Sequence, residues 1–183
     1  MEPLLGRMTR AMRLEPSLYE EVEADKGATS QALTVVLISS VCAGIGTAGS
    51  LGLPGLFGGL LVSLIGWVVW AGLTYVIGTK LLPGPNTKAN LGELLRTTGF
   101  ASAPGVFRVL AAIPLVGMVV SLLVSIWMLV AFVIAVRQAL DYENTGRAVL
   151  VCIIGWFIYM GFVVALALVL GVGGAAVVNS TGG

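Results

Sequence analysis

The chain has no histidine, only two cysteines, and charge on just 10% of its residues. Without histidine it lacks the commonest metal ligand and the side chain that moves protons near neutral pH. Cys42 and Cys152 sit far apart inside apolar stretches, a pattern that makes neither a disulfide framework nor a zinc site and reads as packing. The formal net charge of +1 offers no basic surface for nucleic acid. A phosphate-cradling glycine loop, a base-assisted nucleophile and a metal cluster are all missing, so the residues point to no enzyme and no cofactor. Carboxylates are also missing from the apolar stretches, where an ion-coupled transporter would carry them.

Charge is absent altogether from Gly27–Thr79, Val109–Val136 and Ala148–Gly183. A soluble domain of this size needs charge over its surface. With 57% hydrophobic residues and a mean hydropathy of +1.01, the chain reads instead as an all-α integral membrane bundle. A crossing takes about 20 apolar residues, so the first stretch holds two spans and the others one each. The first span opens behind an acid-rich segment rather than a short basic lead, which is not the pattern of a cleaved signal peptide. A sequon at Asn179-Ser180-Thr181 lies against the C-terminus and reads as chance.

Thr29 and Ser30 are placed to cap the first span, which runs to Gly49. The turn-rich link Ser50–Gly55 then makes a tight hairpin into a second span over Leu56–Leu82, stopped by Pro83-Gly84-Pro85. Asn90 and Glu93 have capping-box spacing. The helix they open carries Leu91, Leu94, Leu95 and Thr98 on one face and Arg96 away from it, as an interfacial amphipathic helix would. A third span over Phe100–Ile113 is short and holds Pro104 and Arg108. Charge argues that it crosses, because lysine and arginine gather on the cytoplasmic side. Arg7, Arg10, Arg13, Lys26, Lys80, Lys88, Arg96, Arg137 and Arg147 then share one side. The fourth and fifth spans cover Gly117–Val136 and Ala148–Gly171. The expectation is five spans in the cytoplasmic (inner) membrane, with the N-terminus inside and the C-terminus outside. Residues 1–28 form a cytoplasmic segment, 29–172 the spans and 173–183 an external flexible tail.

Several features compete for function. Ser40, Gly44 and Ala48, then Gly55, Gly59 and Ser63, repeat small residues every fourth position, which lets helix backbones close up. With Pro104 they read as packing within one chain ahead of a dimer face. Leu4, Leu5, Met8, Ala11 and Met12 make an apolar stripe flanked by arginines, suited to an anionic lipid surface. Ser17 and Glu20 have capping-box spacing and open an acidic helix. Its Glu20, Glu21, Glu23 and Asp25 can pair with Arg137 and Arg147, stay solvated, or dock a basic partner. Arg108 is the one charge placed within the membrane and either snorkels to headgroups or faces a polar cavity. Cys152, Gly155, Trp156 and Tyr159 share a face of the fifth span that reads as protein-facing.

The stretches YEEVEAD and QALTVVLISS, ELLRTTGFASAP, and IWMLVAFVIAVRQAL followed by Arg147-Ala148 resemble the Yip (Ypt-interacting-protein) domain family, in its prokaryotic branch. The Phe-Ala-x-x-Pro turn at Phe100, Ala101 and Pro104 is the most recognisable element. The resemblance implies a cytosolic N-terminus and five spans. Eukaryotic members of that family act in vesicle trafficking with prenylated Rab-type GTPases and with one another. Prokaryotic members are implied to be accessory membrane proteins, some linked to export. The expected function is therefore association with other membrane proteins or with itself, among membrane lipids, as an accessory or assembly subunit. The alternative is a lipid- or solute-handling protein with Arg108, Trp156 and Tyr159 along one groove.

Overall fold

The computed structural model describes residues 3–113 and 115–169, with side chains left aside at 47–56, 162–163 and 165–169. The external tail, the sequon and the end of the fifth span lie outside the described residues. Six α-helices make up the described chain: α1 (Leu4–Met12), α2 (Pro16–Ala24), α3 (Ala28–Val76), α4 (Leu91–Ala101), α5 (Gly117–Ala139) and α6 (Thr145–Val169). A π-helical turn at Ile77–Leu81 extends α3, and a 3₁₀ helix at Ala103–Ala112 extends α4. Among the described residues three segments are long and apolar enough to cross a membrane: Ala28–Gly46, Phe57–Leu81 and Gly117–Ala139. Thr145–Gly161 is a shorter apolar helix.

Helical hydrogen bonding runs through the whole of α3, where the sequence predicts an open link at Ser50–Gly55. The helix nonetheless doubles back. A Cβ on Gly99 would stand 2.8 Å from Ala32 Cβ, while Trp67 Nε1 donates to Thr98 Oγ1 at 3.2 Å. Two widely separated parts of α3 thus meet consecutive residues of α4. A straight helix at about 1.5 Å per residue would hold them roughly 50 Å apart. The reversal falls between Ala43 and Ser63, which line one cavity, so the expected hairpin is present. Its start differs too. Gly27 is the N-cap of α3, held by Asp25 Oδ1, while the Thr29 and Ser30 hydroxyls donate back to the Lys26 and Gly27 carbonyls.

The third segment departs from a plain span. Phe100 and Ala101 finish α4, and Pro104 sits in the first turn of the 3₁₀ helix. Ten 3₁₀ residues rise about 20 Å, short of a roughly 30 Å hydrocarbon core. Joined to α4, however, the unit matches α5 along its length. Leu94 shares a core cluster with Val136 and Ala139. Phe107 stacks on Trp127 with centroids 5.5 Å apart, and Arg108 reaches Ser125 at 3.2 Å. The backbones of α3 and this unit approach closely at Gly99 against Ala32, at Gly105, whose Cβ would lie 3.0 Å from Ser39 Cβ, and most tightly at Gly46 against the Arg108 carbonyl. These glycines are close approaches that lie outside the small-residue repeat. A Cβ on Gly59 would meet nothing within 4 Å, so Gly59 is not a packing contact; Gly55 falls where side chains are not described.

The N-terminal helices are built onto this bundle. Pro16 occupies the first turn of α2 with Glu15 as N-cap, so Ser17 lies inside the helix and the Ser17–Glu20 box does not form. Met8 and Ala11 of α1 and Leu18, Tyr19 and Val22 of α2 join one core with Ala32, Val35, Phe100, Ala131 and Ala135. The apolar stripe of α1 therefore faces protein, and only Leu5, 74% exposed, departs from it. Trp127 Nε1 donates to the Met12 carbonyl at 2.9 Å and ties the end of α1 to α5.

Arg96 overturns its expected outward placement. It is 5% exposed, and its guanidinium donates to the Val22 carbonyl at 2.8 Å and to the Glu23 carbonyl. Those carbonyls end α2 and have no partner of their own in the helix. The capping box at Asn90 does form, with Glu93 N donating to Asn90 Oδ1 at 3.1 Å and Asn90 N to Glu93 Oε2 at 2.8 Å. It sets the start of α4, and thereby points Arg96 at α2. Arg96→Leu should strand buried acceptors at a cost of about 2–4 kcal/mol. The thermal midpoint in mild detergent is expected to fall by roughly 5–15 °C, and an unchanged midpoint would show that this cap holds nothing.

Candidate functional site

Of the charged residues singled out in the sequence, Glu20, Glu21, Glu23, Asp25, Arg137 and Arg147 gather at one end of the bundle, and Arg108 lies apart from them. Arg7 is 3% exposed. Its Nε and Nη2 donate to Glu21 Oε1 at 3.1 and 2.8 Å, Nη2 also meets Asp25 Oδ2 at 2.8 Å, and Nη1 donates to Gln31 Oε1 at 3.0 Å. Arg10 binds the other oxygen of Glu21 at 2.6 Å and Glu15 at 3.1 Å. Glu21 and Asp25 are thus occupied by the arginines of α1 and not by Arg137 or Arg147. Hydrogen bonds from Arg10 and then Arg7 hold the Glu21 carboxyl below its ordinary range, and Arg7 with the Gly27 amide does the same for Asp25.

Arg137 and Arg147 instead tie down loop backbone. Arg137 Nε donates to the Tyr142 carbonyl at 3.2 Å, closing the turn after α5, and Arg147 Nη1 donates to the Pro83 carbonyl at 2.9 Å. Tyr142 Oη donates to the Gly78 and Leu82 carbonyls at 3.1 and 2.7 Å, satisfying the end of the π-helical turn. Thr87 Oγ1 adds a bond to the Leu140 carbonyl at 2.8 Å. These contacts join the loop after α3 to the loop after α5. The acidic helix meets them at one point, where Gln138 Nε2 donates to Glu20 Oε1 at 2.8 Å. Around it lies a recess of about 540 Å³ lined by Glu20, Asn86, Arg137, Gln138, Asp141 and Glu143.

A second cavity, of about 210 Å³, lies inside the bundle between the two halves of α3, the 3₁₀ helix and α5. Arg108 lines it together with Trp67, Trp70 and four serines. Trp156 does not join Arg108 there. It is 51% exposed and walls a separate apolar groove of about 630 Å³ between α5 and α6. Outward exposure of Trp156 also breaks the protein-facing quartet expected of the fifth span. Cys152 and Gly155 are buried, and Tyr159 meets Trp70 edge-on with centroids 6.5 Å apart. The 3.6-residue spacing placed these side chains within one wide arc, and Trp156 lies at the lipid edge of that arc. The single groove expected along Arg108, Trp156 and Tyr159 is therefore two cavities that share only Trp70.

Glu23 is half-buried where α2 meets α4 and the turn after α5. Desolvation, then the charges of Asp141 and Glu93, push its carboxyl from an ordinary 4.5 up to about 7, against the opposing pull of Arg96. Because the folded pKa exceeds the unfolded one, the unfolded chain gives up its proton first as pH rises. The penalty on the fold is absent below pH 4.5, grows through the interval and is complete above about 7. Solvent screening of a half-exposed group leaves about 1 kcal/mol of it. Glu21 and Asp25 act in the opposite sense, losing their contribution as pH falls into the carboxylate range. Thermal midpoints should therefore decline from mildly acidic to neutral pH. Glu23→Gln is expected to remove that decline; a variant tracking the parent would contradict it.

Comparison with curated proteins returns no match, and comparison with solved structures returns none either. A family model does match. The Yip1 domain covers residues 16–167, from the first turn of α2 to near the end of the described part of α6, and so takes in both the recess and the Arg108 cavity. With several helices long and apolar enough to span a bilayer, the chain is a multi-pass membrane protein and belongs to the Yip1 domain family.

Proposed function

We propose that this protein is a non-enzymatic accessory or assembly subunit of the cytoplasmic membrane, working by association with another membrane protein. The observation that carries the reading is the recess where Glu20 of α2 meets the α5–α6 loop. Both halves of the surface expected to dock a partner converge there. It is a preformed surface, because α2 is anchored by Arg96 and the loop by Arg137, Arg147 and Tyr142. Its chemistry favours a basic segment on the partner. Glu20, Asp141 and Glu143 line it, while the donors of Arg137 are turned to the Tyr142 and Glu143 carbonyls. Glu21 and Asp25, spent on Arg7 and Arg10, contribute to the rigidity of this face and not to its free charge.

Five crossings suit this reading. The composite of α4 and the 3₁₀ helix rises about 36 Å by its residue count, comparable to α5, and serves as the third. The arginines and lysines of the loops then fall on the cytoplasmic side, with the recess among them. A basic partner segment meeting three acids in a partly desolvated recess is steered and held by charge, so reversing that charge is a direct test. Glu20 and Asp141 are exposed, so Glu20→Lys with Asp141→Lys leaves the core untouched. Native mass spectrometry of the protein taken from its own membrane into nanodiscs should show a stoichiometric partner, reduced at least about tenfold in the double variant. Equal partner occupancy in parent and variant would refute the assignment.

A further inference from the structure

We propose that the Arg108 cavity binds the phosphate of a phosphodiester or free phosphate, a site independent of the docking surface above. An arginine within a bilayer costs about 2.5–3.5 kcal/mol on insertion scales, and such residues face a partner. Among the described residues Arg108 has one hydrogen-bonded partner, Ser125 Oγ at 3.2 Å, and no carboxylate. A guanidinium offers five N–H donors, so most of its capacity is unspent.

The rest of the wall has the same imbalance. Trp70 carries a buried indole N–H with no acceptor, and an unmet buried donor is costly. Ser63 makes no hydrogen bond among the described residues. Ser39, Ser40 and Ser102 donate to the carbonyls of Ser102, Val36 and Thr98. Those three hydroxyl protons are spent, and the unspent donors of the wall are the Arg108 guanidinium, the Ser63 hydroxyl and the Trp70 indole N–H, a set that suits an anion. One arginine balances one negative charge, and its planar fork suits two oxygens of a phosphate. At about 210 Å³ the space is below the roughly 300–1,000 Å³ of a drug-sized ligand site, yet holds several waters at about 30 Å³ each, or one tetrahedral oxyanion. The apolar side chains of Val36, Met128 and Phe132 on the same wall accept an ester carbon and not a second charge.

A membrane lipid and a phosphate from solution present the same group, and two measurements on the full-length protein separate them. In nanodiscs containing phosphatidylglycerol, native mass spectrometry counts the lipid retained, with diacylglycerol as the phosphate-free comparator. In parallel, inorganic phosphate is titrated while tryptophan fluorescence is followed, since Trp67 and Trp70 line the cavity. One retained phosphatidylglycerol that diacylglycerol does not replace, reduced about tenfold or more in Arg108→Gln, identifies a lipid headgroup. A saturable fluorescence response without retained lipid, weakened similarly, identifies free phosphate. Trp70→Phe keeps an aromatic ring and removes the N–H, so it stands in if Arg108→Gln fails to fold, with a loss of about threefold to tenfold. Binding unchanged in these variants, or no phosphate-bearing ligand by either measurement, overturns the proposal.

Discussion

The cost of taking charge out of water orders this molecule. In hydrocarbon a charge or an unpaired backbone group is expensive, so each must be satisfied within the protein or kept at the edge. The described carboxylates and Arg7, Arg10, Arg96, Arg137 and Arg147 are collected at one end of the bundle, where they form a cap. Within it the arginines divide into two jobs. Arg7 and Arg10 neutralise acids of α2, whereas Arg96, Arg137 and Arg147 donate to carbonyls at helix and turn ends. The second job matters more to the architecture. It converts the chain ends that helices leave unsatisfied into the joints between them.

The same economy bears on the third segment. A 3₁₀ helix rises further per residue than an α-helix, so the α4 composite keeps pace with α5 despite Pro104 and its short apolar run. Gly99 and Gly105 permit the backbone approach to α3 that secures it. Ion pairs such as Arg7–Glu21, buried on the arginine side, are weak sources of net stability, but removing the acid strands the arginine. They act here mainly to hold α1 and α2 in one placement, which gives the recess its shape.

Much of this was legible in the sequence. Charge-free stretches located the apolar helices, the Asn90–Glu93 pair marked the start of α4, and the turn-rich segment before Leu56 marked the reversal of α3. The soft motifs around Phe100-Ala101 and Pro104 pointed to the right family. What escaped was partnership. Periodicity assigns Arg96 to the polar face of a lone amphipathic helix, because nothing local reveals that α2 lies over that face. Sign alone offers Arg137 and Arg147 as one set of partners for the acids of the 20–25 segment, beside solvent and a docking protein, while proximity in the fold gives Glu21 and Asp25 to Arg7 and Arg10. The small-residue repeat correctly marked Ser40 and Ser63 near the hairpin interior, yet misjudged Gly59, since spacing does not say which side of a helix a neighbour occupies. Arg108 stood out by its lack of acids, and the unmet N–H of Trp70, which lines the same cavity, required the fold.

The central claim is that α1 and α2 belong to the folded body and are not a loose surface arm. Hydrogen–deuterium exchange of the full-length protein in nanodiscs tests it most directly, reading the amides of α2 against those of the 83–90 loop. Slow exchange in α2, over minutes to hours, is the result this account predicts. Exchange of α2 as fast as the loop would contradict it and dissolve the recess with it.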